Sequence, residues 1–172
     1  REAIDLISVT TGPGSFTGLR IGISTAKGLC HSLDIPLTGI SLTKQYMKVA
    51  DSGNGIVVPI ISDRRNLVYF SIFEDGKKIE EERSISTAEL KNILDDLTNN
   101  HQSVYLIGEG SMKNRDLFAK IKGVQFEKGE KNYPSGARTA ILGEKVFNDD
   151  RLMSIEPLYA QRPVAELNFN SD

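Results

Sequence analysis

The residue types that most often carry catalysis or bind metal are scarce in this sequence. Its two histidines, His31 and His101, are far apart along the chain, and Cys30 is the only cysteine. A protein metal site usually takes three or four ligands from Cys, His and carboxylate side chains, so no Cys/His site can be assembled here. We therefore predict that both histidines are solvated, and that the chain has no metal site and no catalytic residue.

Three further groups carry reactive or charged side chains. Ser15 lies in a glycine turn, but a nucleophile elbow needs Gly-x-Ser-x-Gly, and Phe16-Thr17 interrupts that pattern. We predict that Ser15 or Thr17 caps the following helix instead. The charged residues 63–65 follow an apolar strand and predict a solvated turn. The run Glu80-Glu81-Glu82 predicts a solvated strand edge.

Length and composition are those of an ordinary globular protein. The 172 residues are 39% hydrophobic and 26% charged, with a formal net charge of −2. Clustered lysine and arginine dominate affinity for nucleic acid, so the dispersed basic residues predict no tight binding by this chain alone. No apolar run approaches a membrane span, and the lone cysteine fits a reducing compartment, so we expect a cytoplasmic location.

The chain is organised around a glycine-rich stretch, residues 10–22. An apolar run, 4–9, predicts a buried strand before it, and helical spacing predicts a helix over 18–33 after it. The sequence Gly12-Pro13-Gly14 forces a turn between them. A strand, a glycine turn and a helix N-terminus can together hold an anion. However, the stretch has neither the Gly-Lys pair of a P-loop nor the third glycine of a dinucleotide fingerprint.

Eleven contiguous residues of this stretch, followed by Ser24-Thr25-Ala26-Lys27-Gly28-Leu29, resemble the signature of the TsaB (YeaZ) family. The signature residues at the turn and helix start are Gly12, Pro13, Gly14, Ser15, Phe16, Thr17, Gly18 and Arg20. Weaker similarities extend over most of the chain. The departures are Ser62, where the family usually has aspartate, and Gln161, where it usually has arginine.

The resemblance implies a non-catalytic subunit of the bacterial complex that adds a threonylcarbamoyl group to the adenosine beside the tRNA anticodon. The implied partners are the catalytic relative TsaD and, through that complex, the ATPase TsaE, and a homodimer is possible. No cofactor is expected in this chain alone, with a nucleotide possible only at a shared interface. The alternative is an enzyme of the same superfamily, either a nucleotide-binding ATPase or a glycoprotease-like peptidase.

The resemblance also implies an α/β fold of the actin, sugar-kinase and heat-shock-ATPase superfamily, with two ribonuclease-H-like lobes and mixed sheets. Residues 1–45 would be the remainder of a first lobe whose N-terminal part is missing. Residues 46–172 would form a second lobe with an extended C-terminal tail. The residue patterns predict strands near 37–40, 56–61, 67–73, 78–83, 104–107 and 124–126. They predict further helices near 42–50, 86–97, 114–121 and 137–147.

The predicted helix over 18–33 has three faces at 100° per residue. An apolar seam should face the sheet: Leu19, Ile23, Ala26, Cys30 and Leu33. A polar face carries Arg20, Ser24, Lys27 and His31. We name the remaining small and apolar face the interface strip: Ile21, Thr25, Gly28, Leu29 and Ser32. One sheet cannot cover both apolar faces, so the strip packs either on another part of its own lobe or on a partner's helix.

Overall fold

The computed structural model describes residues 4–52, 55–64, 66–100, 103–147 and 155–158. The strands are β1 Ile7–Gly12, β2 Leu37–Ser41, β3 Ile56–Ser62, β4 Leu67–Glu74, β5 Lys77–Ser86, β6 Val104–Ile107 and β7 Val124–Phe126. The helices are α1 Phe16–Leu33, α2 Leu42–Val49, α3 Thr87–Asn100, α4 Glu109–Lys113, α5 Arg115–Phe118 and α6 Gly136–Val146. A 3₁₀ turn, Gly129–Asn132, precedes α6.

The strands form two sheets. In the first, β1 and β2 run parallel, with Ile7 opposite Leu37. The second has the order β5-β4-β3-β6-β7, in which β4 is antiparallel to both of its neighbours and the β3–β6 and β6–β7 pairs are parallel. Counted along this sheet, the order third, second, first, fourth, fifth is that of a ribonuclease-H-like lobe. The predicted α/β fold with a mixed sheet is confirmed.

Helices cover both faces of the first sheet. Helix α1 lies on one face, where Ala26 and Cys30 pack with Leu37 of β2. Helix α6 lies on the other face and approaches it closely at Gly143, where a Cβ atom would lie only 1.9 Å from the Ser8 Oγ. Alternation along β1 explains this division, because successive side chains of a strand point to opposite faces.

The second sheet is also covered on both faces. Leu90 and Leu94 of α3 are fully buried against one face, and Leu42 and Tyr46 of α2 pack on the other. Helix α2 in turn contacts α6 through the buried Gln45, so the two helices lie between the sheets. The described residues thus stack as helix, sheet, two helices, sheet and helix.

Element boundaries differ from the sequence-based expectation in three places. Strand β1 runs from Ile7 to Gly12 rather than over 4–9, because the β-branched threonines before the turn suit a pleated strand. Helix α1 begins at Phe16, directly after its cap. The predicted helix over 114–121 is two shorter helices, α4 and α5, which meet at Asn114.

The boundary after residue 45 between the two predicted lobes stays a prediction. Helix α6 follows that boundary in sequence and packs on β1 and β2. Across the described part of the chain, no helix combines the length and the apolar character that crossing a membrane requires.

Candidate functional site

The turn between β1 and α1 requires glycine at its first position. Gly12 has φ +119°, a region that favours glycine, and the Gly12–Pro13 peptide bond is cis. A Cβ atom at Gly12 would lie 3.0 Å from the Leu19 Cδ1 and 3.1 Å from the Leu158 carbonyl oxygen. Both Gly12 and Pro13 are buried. The start of the signature is therefore held by its packing.

Ser15 is the N-cap of α1, as one of the two alternatives predicted. Its Oγ accepts the Gly18 backbone N–H at 3.3 Å, and its carbonyl accepts the Leu19 N–H at 2.9 Å. Thr17 lies within the first turn and is exposed. This geometry gives the Ser15 hydroxyl a structural task, which is to satisfy one of the free N–H groups at the helix start.

Phe16 and Arg20 form a stacked pair on the outer side of the same helix start. The Arg20 guanidinium carbon lies 4.0 Å from the centre of the Phe16 ring, within cation–π distance. Phe16 is 39% exposed. The stacking holds the guanidinium along the helix surface, so the second half of the signature presents a cation and an aromatic ring outward.

All five residues of the interface strip lie on the exposed side of α1. Ile21 is 62% and Leu29 is 49% exposed. A Cβ atom at Gly28 would meet no described atom within 4 Å. The Ser32 hydroxyl donates to the Gly28 carbonyl at 2.9 Å and is satisfied within the helix. The structure therefore brings the strip together as one open face of apolar and small residues.

The apolar seam of α1 faces the first sheet over most of its length. Ile23, Ala26 and Cys30 are buried, as expected. The prediction is wrong for Leu33, which is 51% exposed. Leu33 is the last helical residue before the left-handed C-cap Asp34, beyond the turn in which Cys30 reaches β2. The open face of α1 is therefore wider than the interface strip alone.

A short C-terminal segment, residues 155–158, lies against the turn and α1. The Leu158 N–H donates to the Thr11 carbonyl at 2.7 Å, and Ile155 packs on the core between α1 and the first sheet. This segment and the polar face of α1 enclose a shallow pocket of about 260 Å³. Sequence reasoning missed these contacts because the segment has no periodicity. Gln161 and the rest of the predicted tail lie outside the described residues.

The thiol and imidazole groups lie apart from any arrangement for catalysis in the described residues. Cys30 is buried, its Sγ donates to the Pro36 carbonyl at 3.4 Å, and burial raises the pKa of the thiol, which lowers its reactivity. His31 is exposed on α1, and His101 lies outside the described residues. Among those that are described, no three His, Cys, Asp or Glu side chains come together as a metal-binding group.

The charged turn after β3 is more structured than predicted. Asp63 is partly buried and hydrogen-bonds to Tyr69, and burial together with this carboxylate raises the pKa of Tyr69 to about 12. The expectation of a fully solvated turn is thus wrong for Asp63. Arg64 is exposed, as expected, and the third residue of the run lies outside the described residues. Beside the turn, the Ser62 N–H donates to the Glu109 Oε1 at 2.7 Å.

A buried carboxylate joins β5 to the start of α2. The Glu82 side chain is 2% exposed and receives hydrogen bonds from Ser41, Thr43 and Lys78. Burial by itself would raise the pKa of Glu82, but the hydrogen bonds from Lys78, Thr43 and Ser41 outweigh it and lower the pKa to about 2. The expectation of a solvated edge is therefore wrong for Glu82. The signal in the sequence was its period-two spacing from Lys78, which puts both side chains on one face of the strand.

Comparisons with known proteins agree with these features. The sequence profile described as TsaD: tRNA N6-adenosine threonylcarbamoyltransferase matches residues 1–166. The chain is 28% identical to the tRNA threonylcarbamoyladenosine biosynthesis protein TsaB of Bacillus subtilis over 84% of its own length and 64% of that protein. It is 27% identical to the TsaB protein of Escherichia coli, over 94% of this chain and 73% of that one.

A solved structure shares the fold. The crystal structure of a Pseudomonas aeruginosa protein with similarity to peptidase YEAZ superposes with a TM-score of 0.68 at 20% identity, covering 92% of this chain and 74% of that one. The extent of the profile match, supported by the TsaB relatives, assigns the chain. It belongs to the family described as tRNA N6-adenosine threonylcarbamoyltransferase, and within that family to the TsaB/YeaZ group.

Proposed function

We propose that this chain is a non-catalytic subunit of the cytoplasmic complex that transfers a threonylcarbamoyl group to the adenosine beside the tRNA anticodon. In this role it binds and supports the catalytic subunit TsaD, and it meets the ATPase TsaE only through that complex. The chain spans 64% of the length of its Bacillus subtilis relative, and the proposal concerns the part that carries α1.

The observation that carries this proposal is the open face of α1. Its central residues are small, with Gly28 and Thr25 lying between the exposed aliphatic side chains of Ile21 and Leu29. Small residues let a second backbone approach closely, while the flanking aliphatic groups supply apolar area to bury. An exposed apolar face of this kind is typical of a protein interface. We therefore propose that the interface strip packs on a helix of the catalytic relative.

The test is to replace Gly28 with leucine. Because the position is open, the new side chain should leave folding intact, or stabilise the helix slightly, by about 0.8 kcal/mol through helix propensity. At a close helix contact the same side chain forces the backbones apart, and overpacking costs about 1–3 kcal/mol. Association with TsaD from the same organism should therefore weaken by roughly one to two orders of magnitude.

Two controls make the result specific. Ile23→Ala changes a buried residue on the opposite side of α1 and should lower stability by about 2–5 kcal/mol. Ala88→Leu adds an exposed leucine to a different helix, α3, and should leave association unchanged. The measurements are thermal melting and calorimetric titration with TsaD. Unchanged TsaD affinity in a folded Gly28→Leu variant would place the interface elsewhere and refute the proposal.

A further inference from the structure

The open face of α1 has a cationic border on one side. At 100° per residue, Arg20, Lys27 and His31 follow one another along the edge of the interface strip. The 18 residues of α1 contain no aspartate or glutamate, although the whole chain has a formal net charge of −2. The helix surface is therefore opposite in sign to the balance of the chain.

The border has a defined length. Lys27 follows Arg20 by seven residues, which is two turns or about 10 Å along the helix axis. Arg20 is held on the helix surface by stacking on Phe16 at 4.0 Å, and Lys27 is exposed. The two cations thus stand at fixed spacing beside the apolar strip, where a docked helix would desolvate their inner sides.

A second copy of the chain does not match this border. In an antiparallel pair centred between Thr25 and Gly28, the two cationic edges meet, and Lys27 faces its own counterpart. Asp34, at the end of the helix, would reach only the region of Arg20. In a parallel pair the edge meets the opposite side of the copy's helix, which carries Leu29 and no carboxylate. Both arrangements leave Lys27 without a partner of opposite charge.

We infer that the interface strip selects a partner helix whose apolar face is bordered by carboxylates about 10 Å apart, in preference to a second copy of this chain. The inference rests on the proposed function and adds the chemistry of the partner surface. Charges at the border of an interface contribute to association rate and to discrimination between partners more than to total affinity. Helix α1 would thus choose its partner by charge and hold it by apolar contact.

The test uses Lys27→Glu and Lys27→Met, with Lys120→Glu as the matched charge reversal at an exposed position in the second lobe. Calorimetric titration with TsaD from the same organism is run in about 50 mM and about 500 mM salt, because screening weakens exposed pairs. Lys27→Glu should weaken binding about threefold to thirtyfold at low salt and clearly less at high salt. Lys27→Met should lie between, and Lys120→Glu should match the unchanged protein.

The outcomes separate the inference from the proposed function. If Gly28→Leu weakens TsaD binding but Lys27→Glu behaves like Lys120→Glu, the carboxylate border is refuted and the proposed interface survives. If a folded Gly28→Leu variant binds TsaD normally, the proposed interface is refuted. Sedimentation tests the second copy directly. A tight homodimer that Gly28→Leu dissociates would show that the strip accepts its own copy, and would overturn the inference.

Discussion

Replacing Glu82 with glutamine removes the charge of a buried carboxylate while keeping its shape. The wild-type side chain is 2% exposed and bound by Lys78, Ser41 and Thr43. These contacts lower the pKa of Glu82 from its ordinary value of 4.5 to about 2. Each unit of difference corresponds to about 1.4 kcal/mol. Because Lys78 can turn toward water in the variant, we expect a loss of about 2–3 kcal/mol in the free energy of unfolding at pH 7.

The pH dependence of this loss follows from the sign of the shift. The pKa of Glu82 is lower in the folded state than in the unfolded state, so its contribution is fully present above about pH 5. The contribution is lost as pH falls from the ordinary value of 4.5 toward about 2. Glutamine resembles the protonated acid and does not titrate. The stability difference between wild type and Glu82→Gln should therefore be constant from neutral pH to about pH 5 and shrink below it.

Urea unfolding of both proteins over this pH range measures the effect. The matched control is Glu81→Gln, because Glu81 is 85% exposed and pairs only loosely with the same lysine, at 3.3 Å. That change should alter stability by less than about 0.5 kcal/mol. Equal stability of wild type and Glu82→Gln at pH 7 would refute the reasoning. So would a difference that stays undiminished as pH falls below 3.

Two further changes test how α1 and α6 are seated. Gly143→Ala puts a Cβ atom 1.9 Å from the Ser8 Oγ and should lower stability by about 1–3 kcal/mol through overpacking, as measured by thermal melting. The same substitution at Gly136, where no described atom lies within 4 Å, should not destabilise. Ser15→Ala removes the cap of α1 and should lower stability by about 0.5–2 kcal/mol in urea unfolding, whereas Thr17→Ala should change it little.

Local patterns were enough to predict most of the elements and the cap of the first helix. Glycine and proline punctuate the chain strongly, and hydroxyl residues before apolar runs mark helix starts, so the turn at Gly12 and the cap at Ser15 followed from neighbouring residues alone. Helical periodicity also separated the buried side of α1 from the interface strip. It failed at Leu33 because periodicity does not show where the covering sheet ends.

The sequence by itself determined the two glycine-bounded features of the first lobe, the turn and the three faces of α1, because both depend on backbone preference and on spacing along one helix. Only the tertiary structure decided which distant groups meet. Glu82 is separated by about forty residues from Ser41 and Thr43, and Leu158 by more than a hundred from Thr11. Such contacts arise from sheet order and helix packing, which no local pattern encodes. The same acidic run therefore contains an exposed Glu81 and a buried Glu82.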